Sequence, residues 1–157
     1  MRSDEFVERL RSAFPAERID GDAAFAQWGA SYLDANEFAR AIDGKTWEEL
    51  DSSYIVRRND ALGFLSTREL VQILPVDLRS LVEEGLMSPA LDAVLVKFTR
   101  PAREPARERF DALVGALTPS QRGAIASALH HIAEQDPDGT PGRAANAALE
   151  RTWKGES

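Results

Sequence analysis

Apolar residues return at three- and four-residue steps along most of this chain. Nowhere do they hold the two-residue alternation of a half-buried strand, and no long β-branched run occurs. The densest stretch is 59–82, where Leu62, Leu65, Leu70, Ile73, Leu74, Leu78, Leu81 and Val82 repeat at the spacing of one helical face. Ser66 with Glu69 has the form of a capping box, and Leu65 with Leu70 that of the hydrophobic staple beside it. Pro75 removes a backbone donor in mid-pattern, so the stretch is expected to kink there or to be a short helix meeting a second one. The rest of the chain is expected to be organised around it.

The same spacing places the other elements. Ser3 is a candidate cap for a helix from Asp4 to about Ala13, with Phe6, Val7, Leu10 and Phe14 inward and Pro15 ending it. A turn-rich connection over 16–22 leads to a weaker helix through Phe25 and Trp28, with Gly29 as its stop. A helix over 32–42 buries Tyr32, Phe38 and Ile42, and Asp43-Gly44 closes it. Thr46 with Glu49 forms a second capping box that starts a helix at Trp47, which Asp51-Ser52-Ser53 threatens to interrupt. Ser88-Pro89 starts a helix with Leu91, Val94, Leu95 and Phe98 inward, ended by Arg100-Pro101. Another, from about Arg107 to Leu117, buries Phe110, Leu113, Val114 and Leu117. Thr118 with Gln121 is the third capping box and opens a helix to about Glu134, with Ile125, Leu129 and Ile132 on one face. A loop over 136–142 precedes an alanine-rich last helix, about 142–153, ending at Trp153. The expectation is an all-α fold: one domain over 1–157, an irregular bundle of seven to nine short helices.

Composition narrows this picture. The 157 residues suit one core, and 29% charged residues against 43% hydrophobic fit a well-solvated domain. No apolar run nears the ~18 residues of a membrane span. The N-terminus carries acids where a signal peptide has an apolar core, which makes the cytoplasm the expected location. The absence of cysteine excludes disulfides, thiolate nucleophiles and cysteine-bound metals. A net charge of −7 argues against a nucleic-acid binder, whose affinity comes from neutralising phosphates. The charge is uneven: residues 1–60 are acidic and residues 95–122 basic.

Several short boxes recur within 32–74: Asp34-Ala35-Asn36-Glu37, Asp43-Gly44-Lys45-Thr46-Trp47, Glu49-Leu50, Asp60-Ala61-Leu62-Gly63-Phe64-Leu65-Ser66 and Leu74-Pro75. With Leu117-Thr118-Pro119-Ser120-Gln121 and Ala124-Ile125, they resemble a bacterial family of small uncharacterised helical domains, a family of unknown function. The likeness covers roughly two-thirds of the chain and departs at Gln72-Ile73, where related sequences often carry aromatics. It implies a helical fold and supplies no catalytic residues.

The search for chemistry yields three weak constellations. His130, His131 and Glu134 are the only metal-like group; His130 and Glu134 stand four apart on a helix, and a third ligand is not visible. Glu134, Asp136 and Asp138, with Gly139, imitate the first half of a calcium loop, but its twelfth position is Ala145 and Pro141 interrupts it. The acids Asp34, Glu37, Asp43, Glu48 and Glu49 cluster near Trp47, where paired carboxylates beside an aromatic suit sugar chemistry, but helix starts and solvated faces account for them better. No nucleophile elbow, phosphate loop or dinucleotide fingerprint occurs. The segment 100–109 alternates arginine with glutamate and lacks the interleaved aromatics of a nucleic-acid groove.

The expected function follows from what is left: a non-enzymatic protein-binding module of immunity or antitoxin type, whose acids steer a basic partner and whose aromatics anchor it. The candidate partner-binding residues are Trp28, Tyr32, Asp34, Glu37, Asp43, Trp47 and Glu48; for Trp28, Tyr32, Trp47 and Trp153 a place in the core is the favoured reading. No cofactor, metal, nucleic acid or membrane is expected. The alternatives are a metal- or carboxylate-dependent enzyme and a self-associating helical scaffold.

Overall fold

A computed structural model of the chain describes residues 2–24, 33–63 and 65–155. Among the described residues there are ten α-helices and no strand. In chain order they are α1 (Ser3–Ala13), α2 (Gly21–Ala24), α3 (Leu33–Ile42), α4 (Ser52–Arg57), α5 (Asn59–Leu62), α6 (Thr67–Glu84), α7 (Leu91–Lys97), α8 (Ala106–Ala116), α9 (Pro119–Gln135) and α10 (Thr140–Ala148). A 3-10 turn, Gly85–Met87, follows α6, and a π turn, Leu149–Trp153, follows α10. The all-α expectation holds. The helix expected through Phe25 and Trp28 lies outside the described residues.

The apolar run at 59–82 does organise the molecule. α6 packs against α1, α2, α4, α7, α8 and α9. Every residue from Ile73 to Leu78 on it is buried. A helix whose middle is buried on every side, with its polar residues mostly toward its ends, sits in the middle of the core. The break expected at Pro75 does not occur: α6 runs through it for 18 residues. A proline inside a helix costs about 3 kcal/mol. The burial of Ile73, Leu74, Val76 and Leu78 around it outweighs that, at roughly 1.5–3 kcal/mol per large apolar side chain.

The three capping boxes meet three fates. Thr118 and Gln121 form the complete box: the Gln121 N–H donates to Thr118 Oγ1 at 3.2 Å, and the Thr118 N–H donates to Gln121 Oε1 at 2.9 Å. Ser66 does precede α6, but its hydroxyl donates to the Glu69 carboxylate instead of accepting from the backbone. Glu69 is buried, so its carboxylate needs that donor more than the helix end does. Thr46 and Glu49 close only a turn, with the Glu49 N–H on the Thr46 carbonyl at 3.0 Å. The helix there begins later, at Ser52, where Asp51 accepts from the Ser53 N–H at 3.1 Å. The interruption expected at 51–53 is therefore a helix start. Ser3 is likewise inside α1 instead of capping it.

Two indoles pin distant segments. Trp47 is buried and donates its N–H to the Phe14 carbonyl at 2.9 Å, tying the turn after α3 to the end of α1. Trp153 is buried and donates to the Phe98 carbonyl at 3.0 Å, tying the chain end to the end of α7. Phe98 and Phe110 meet the Trp153 ring edge-on at 5.7 and 6.2 Å. The loop after α1 is also held by backbone pairing, Ile19 N–H to Lys45 carbonyl and Gly44 N–H to Ile19 carbonyl. The link from α9 to α10 is so tight that a Cβ on Gly142 would overlap the Asp136 carbonyl. Helix α10 therefore starts at Thr140, before the expected position. Among the described residues no helix is long and apolar enough to cross a membrane.

Candidate functional site

The exposed edge of α1 carries Asp4, Glu5, Glu8 and Arg11 at helical one-turn steps. Its buried edge, Phe6 and Leu10, packs on α6 and α9. This packing brings Glu83, in the last turn of α6, beside the start of α1. Together Ser3, Asp4, Glu5, Val7, Glu8, Arg11 and Glu83 line an open groove of about 600 Å3. Four carboxylates share it with one guanidinium.

That guanidinium is already committed. Arg11 donates its Nε to Glu48 at 2.6 Å and a terminal nitrogen to Glu8. These bonds hold its proton more firmly than usual, the Glu48 bond contributing most and the Glu8 bond next. Arg2 stands 3.9 Å from Asp4, both side chains being largely exposed. Among the described residues, Glu5 and Glu83 have no cation within ion-pair distance. The groove thus keeps an excess of negative charge in water, where it acts over about 8–10 Å at physiological salt.

The acids singled out by sequence proximity do not form one site. Glu48 reaches the rim of this groove through Arg11. Asp43 accepts the Gly21 N–H at 2.9 Å and so serves the start of α2; it lines a second depression with Asp22, Asn36, Ala39 and Arg40. Glu37 is exposed on α3, and Asp34 lies in the first turn of the same helix. Glu49 takes the Thr46 hydroxyl at 3.2 Å. Trp47 is 1% exposed, so its ring is part of the core and not a surface anchor. Trp28 and Tyr32 lie outside the described residues. What the sequence reading missed is Glu83, whose distance along the chain from α1 hides their contact. The acid-rich exposed edge of α1 was the visible half of the signal.

The histidines do share a place. Ser127, His130, His131 and Glu134 line a shallow cleft of about 200 Å3 on α9. Arg9 of α1 donates to the Ser127 hydroxyl there. His131 Nε2 is buried without a hydrogen-bond partner. Adjacent helical positions point about 100° apart, so the two imidazoles diverge. Among the described residues no three His, Asp or Glu side chains converge on a point that suits a metal ion. The calcium-like loop is a turn, closed by the Gly139 N–H on the Asp136 carbonyl at 3.3 Å.

One further polar group lies in the interior. Asp77 of α6 is fully buried, and Lys97 at the end of α7 donates to it at 2.9 Å. Asn59 at the start of α5 accepts from Lys97 at 3.2 Å and approaches Asp77 at 3.4 Å. Asn59 also donates to the Val56 carbonyl at 2.9 Å. Each charge here has its partners, and the cluster joins three helices without opening on a cavity named above. Comparison of the chain with models of known families, with curated proteins and with solved structures finds no match, which leaves the resemblance read from residues 32–74 and 117–125 as it stands.

Proposed function

We propose that this chain is a non-enzymatic protein-binding module that receives a basic protein partner on its acidic α1 edge, in the manner of an immunity or antitoxin protein. One observation carries the reading: Asp4, Glu5, Glu8 and Glu83 line a single open groove whose one guanidinium is shared with a fifth carboxylate, Glu48. An excess of carboxylates over cations in a concave surface raises the association rate of a cationic partner and selects against anionic ones. The net charge of −7 acts in the same direction.

The test is binding of the purified chain to the basic proteins encoded beside its gene, by calorimetry at low and high salt. A partner is expected to bind with an affinity that falls as salt rises. The variant combining Asp4→Asn, Glu5→Gln, Glu8→Gln and Glu83→Gln should weaken it by at least about tenfold, or roughly 1.4 kcal/mol. If no neighbouring basic product binds, or if the fourfold variant binds as the parent does, the proposal is wrong.

A further inference from the structure

The opposite end of the α1–α6 pair holds a cavity of different chemistry. About 360 Å3 lies between the end of α1, the start of α6 and the junction of α8 with α9. The volume is at the lower end of the roughly 300–1,000 Å3 of small-molecule sites. Phe14, Pro15, Val71 and Ala116 supply apolar wall. Glu17 and Arg68 supply one charge of each sign.

These two charges line the same cavity and do not meet. Among the described residues Arg68 has no ion pair or hydrogen bond, and Glu17 takes only the Gln72 side-chain N–H, at a long 3.5 Å. The oxygen of that same Gln72 amide is buried and has no donor. A guanidinium and a carboxylate that line one cavity beside apolar wall without pairing leave room for a molecule that carries both opposite charges itself. Each would then gain a charge-assisted hydrogen bond, and the guanidinium fork suits a carboxylate in particular.

We infer that this cavity binds a small zwitterion with an apolar side chain, of the class of the apolar amino acids. Its carboxylate lies on Arg68 and its ammonium on Glu17. Its side chain lies against Phe14, Pro15, Val71 and Ala116. The ammonium also provides a donor for Gln72 Oε1 once that amide turns about its last torsion. The site is separate from the acidic groove, and the inference does not depend on the proposed function.

The probes are L-leucine, L-methionine and L-phenylalanine, added to the full chain at up to about 10 mM and followed by calorimetry and by the shift in melting temperature. At least one should bind and raise the melting temperature. N-acetyl-leucine, which lacks the ammonium, and leucinamide, which lacks the carboxylate, should each bind at least about tenfold more weakly than leucine. Arg68→Gln and Glu17→Gln, both at exposed residues, should abolish the response while the far-ultraviolet circular dichroism stays unchanged. The fourfold acidic-groove variant should retain it. The inference is overturned if none of the three amino acids binds. It is equally overturned if either charge-deleted analogue matches leucine, or if Arg68→Gln binds as the parent does.

Discussion

Carboxylates occur in two opposite settings in this molecule. Asp77 is fully buried and meets an ammonium at 2.9 Å and an amide at 3.4 Å. Asp4, Glu5, Glu8 and Glu83 line an open groove with a single guanidinium that also serves Glu48. Among the described residues the buried carboxylates Asp77 and Glu69 each have a partner, because an unanswered buried charge costs several kcal/mol. On the α1 edge charge is left over, because water answers it at little cost. The difference separates what the fold requires from what it leaves available to a partner. Asp77 joins three helices through Lys97 and Asn59. The groove acids face water, and their excess charge is open to a partner.

The sharpest break of this comparison is at Asp77. Asp77→Ala would leave the Lys97 ammonium, only 15% exposed, without its counter-charge. The expected loss is about 3–5 kcal/mol, seen as a lower urea midpoint. Lys97→Met alone should cost a similar amount. The double variant Asp77→Leu with Lys97→Met should recover most of the loss, since an apolar pair of like volume replaces an ion pair with little penalty. A loss of under about 1 kcal/mol in either single variant would show that water reaches the pair and that the two settings are alike.

The indole pins come next. Trp153→Phe keeps an aromatic ring between Phe98 and Phe110 but removes the N–H that satisfies the Phe98 carbonyl. Trp47→Phe does the same to the Phe14 carbonyl. A buried carbonyl left unmet costs about 1–3 kcal/mol, which the same urea titration resolves. If Trp47→Phe were neutral while binding of a basic partner was lost, Trp47 would be a partner anchor after all, as its place among the acids first suggested.

Residues whose partners are close in sequence were legible. The Thr118 box needs only Gln121, three residues on, and both of its hydrogen bonds form. The stripes of α6, α7 and α9 bury the residues that their three- and four-residue steps single out, except Leu70, which is half-buried against the core. Errors arose where a distant group competed. Glu69 is buried against the core and draws the Ser66 hydroxyl away from the helix end. Pro75 is tolerated because it and its helix neighbours Ile73, Leu74, Val76 and Leu78 are buried in the core. The second cap failed because Trp47 is drawn into the core toward Phe14, which leaves residues 47–49 as a turn. The site suffered most. Asp43 and Glu49 follow one another closely in the chain, but Asp43 is spent on the distant Gly21 N–H and Glu49 on the neighbouring Thr46 hydroxyl. Glu83 joins Asp4 and Glu5 only through the packing of α1 on α6.

The acidic edge sharpens the comparison by a small effect in one assay and a large one in another. Converting Asp4, Glu5, Glu8 and Glu83 to their amides should change stability by no more than about 0.5 kcal/mol per site. Relief of like-charge repulsion favours a gain. The loss belongs in partner binding. A fourfold variant that unfolded at much lower urea would make these acids structural, and the contrast with Asp77 would collapse.

The smallest effect concerns a pair that is matched yet exposed. Arg100 meets Asp111 through two hydrogen bonds, 2.9 and 2.8 Å, with both side chains about half exposed. The Arg100 hydrogen bonds draw the Asp111 carboxyl below its ordinary range, opposed only in part by desolvation. A carboxyl whose folded pKa lies below its unfolded one adds stability above the unfolded value. That stability is lost as pH falls through the folded value. Asp111→Asn should therefore differ from the parent at neutral pH and converge with it in acid, and the gap at neutral pH should shrink as salt is added. The direct measurement is the Asp111 carboxyl titration by NMR. Its midpoint should lie below the ordinary value of about 3.9 and rise when Arg100 becomes Gln. An unchanged midpoint would mean that this geometry, despite two good hydrogen bonds, is answered by water as fully as the unpaired groove acids Glu5 and Glu83. Matching would then matter to this protein only where water is absent.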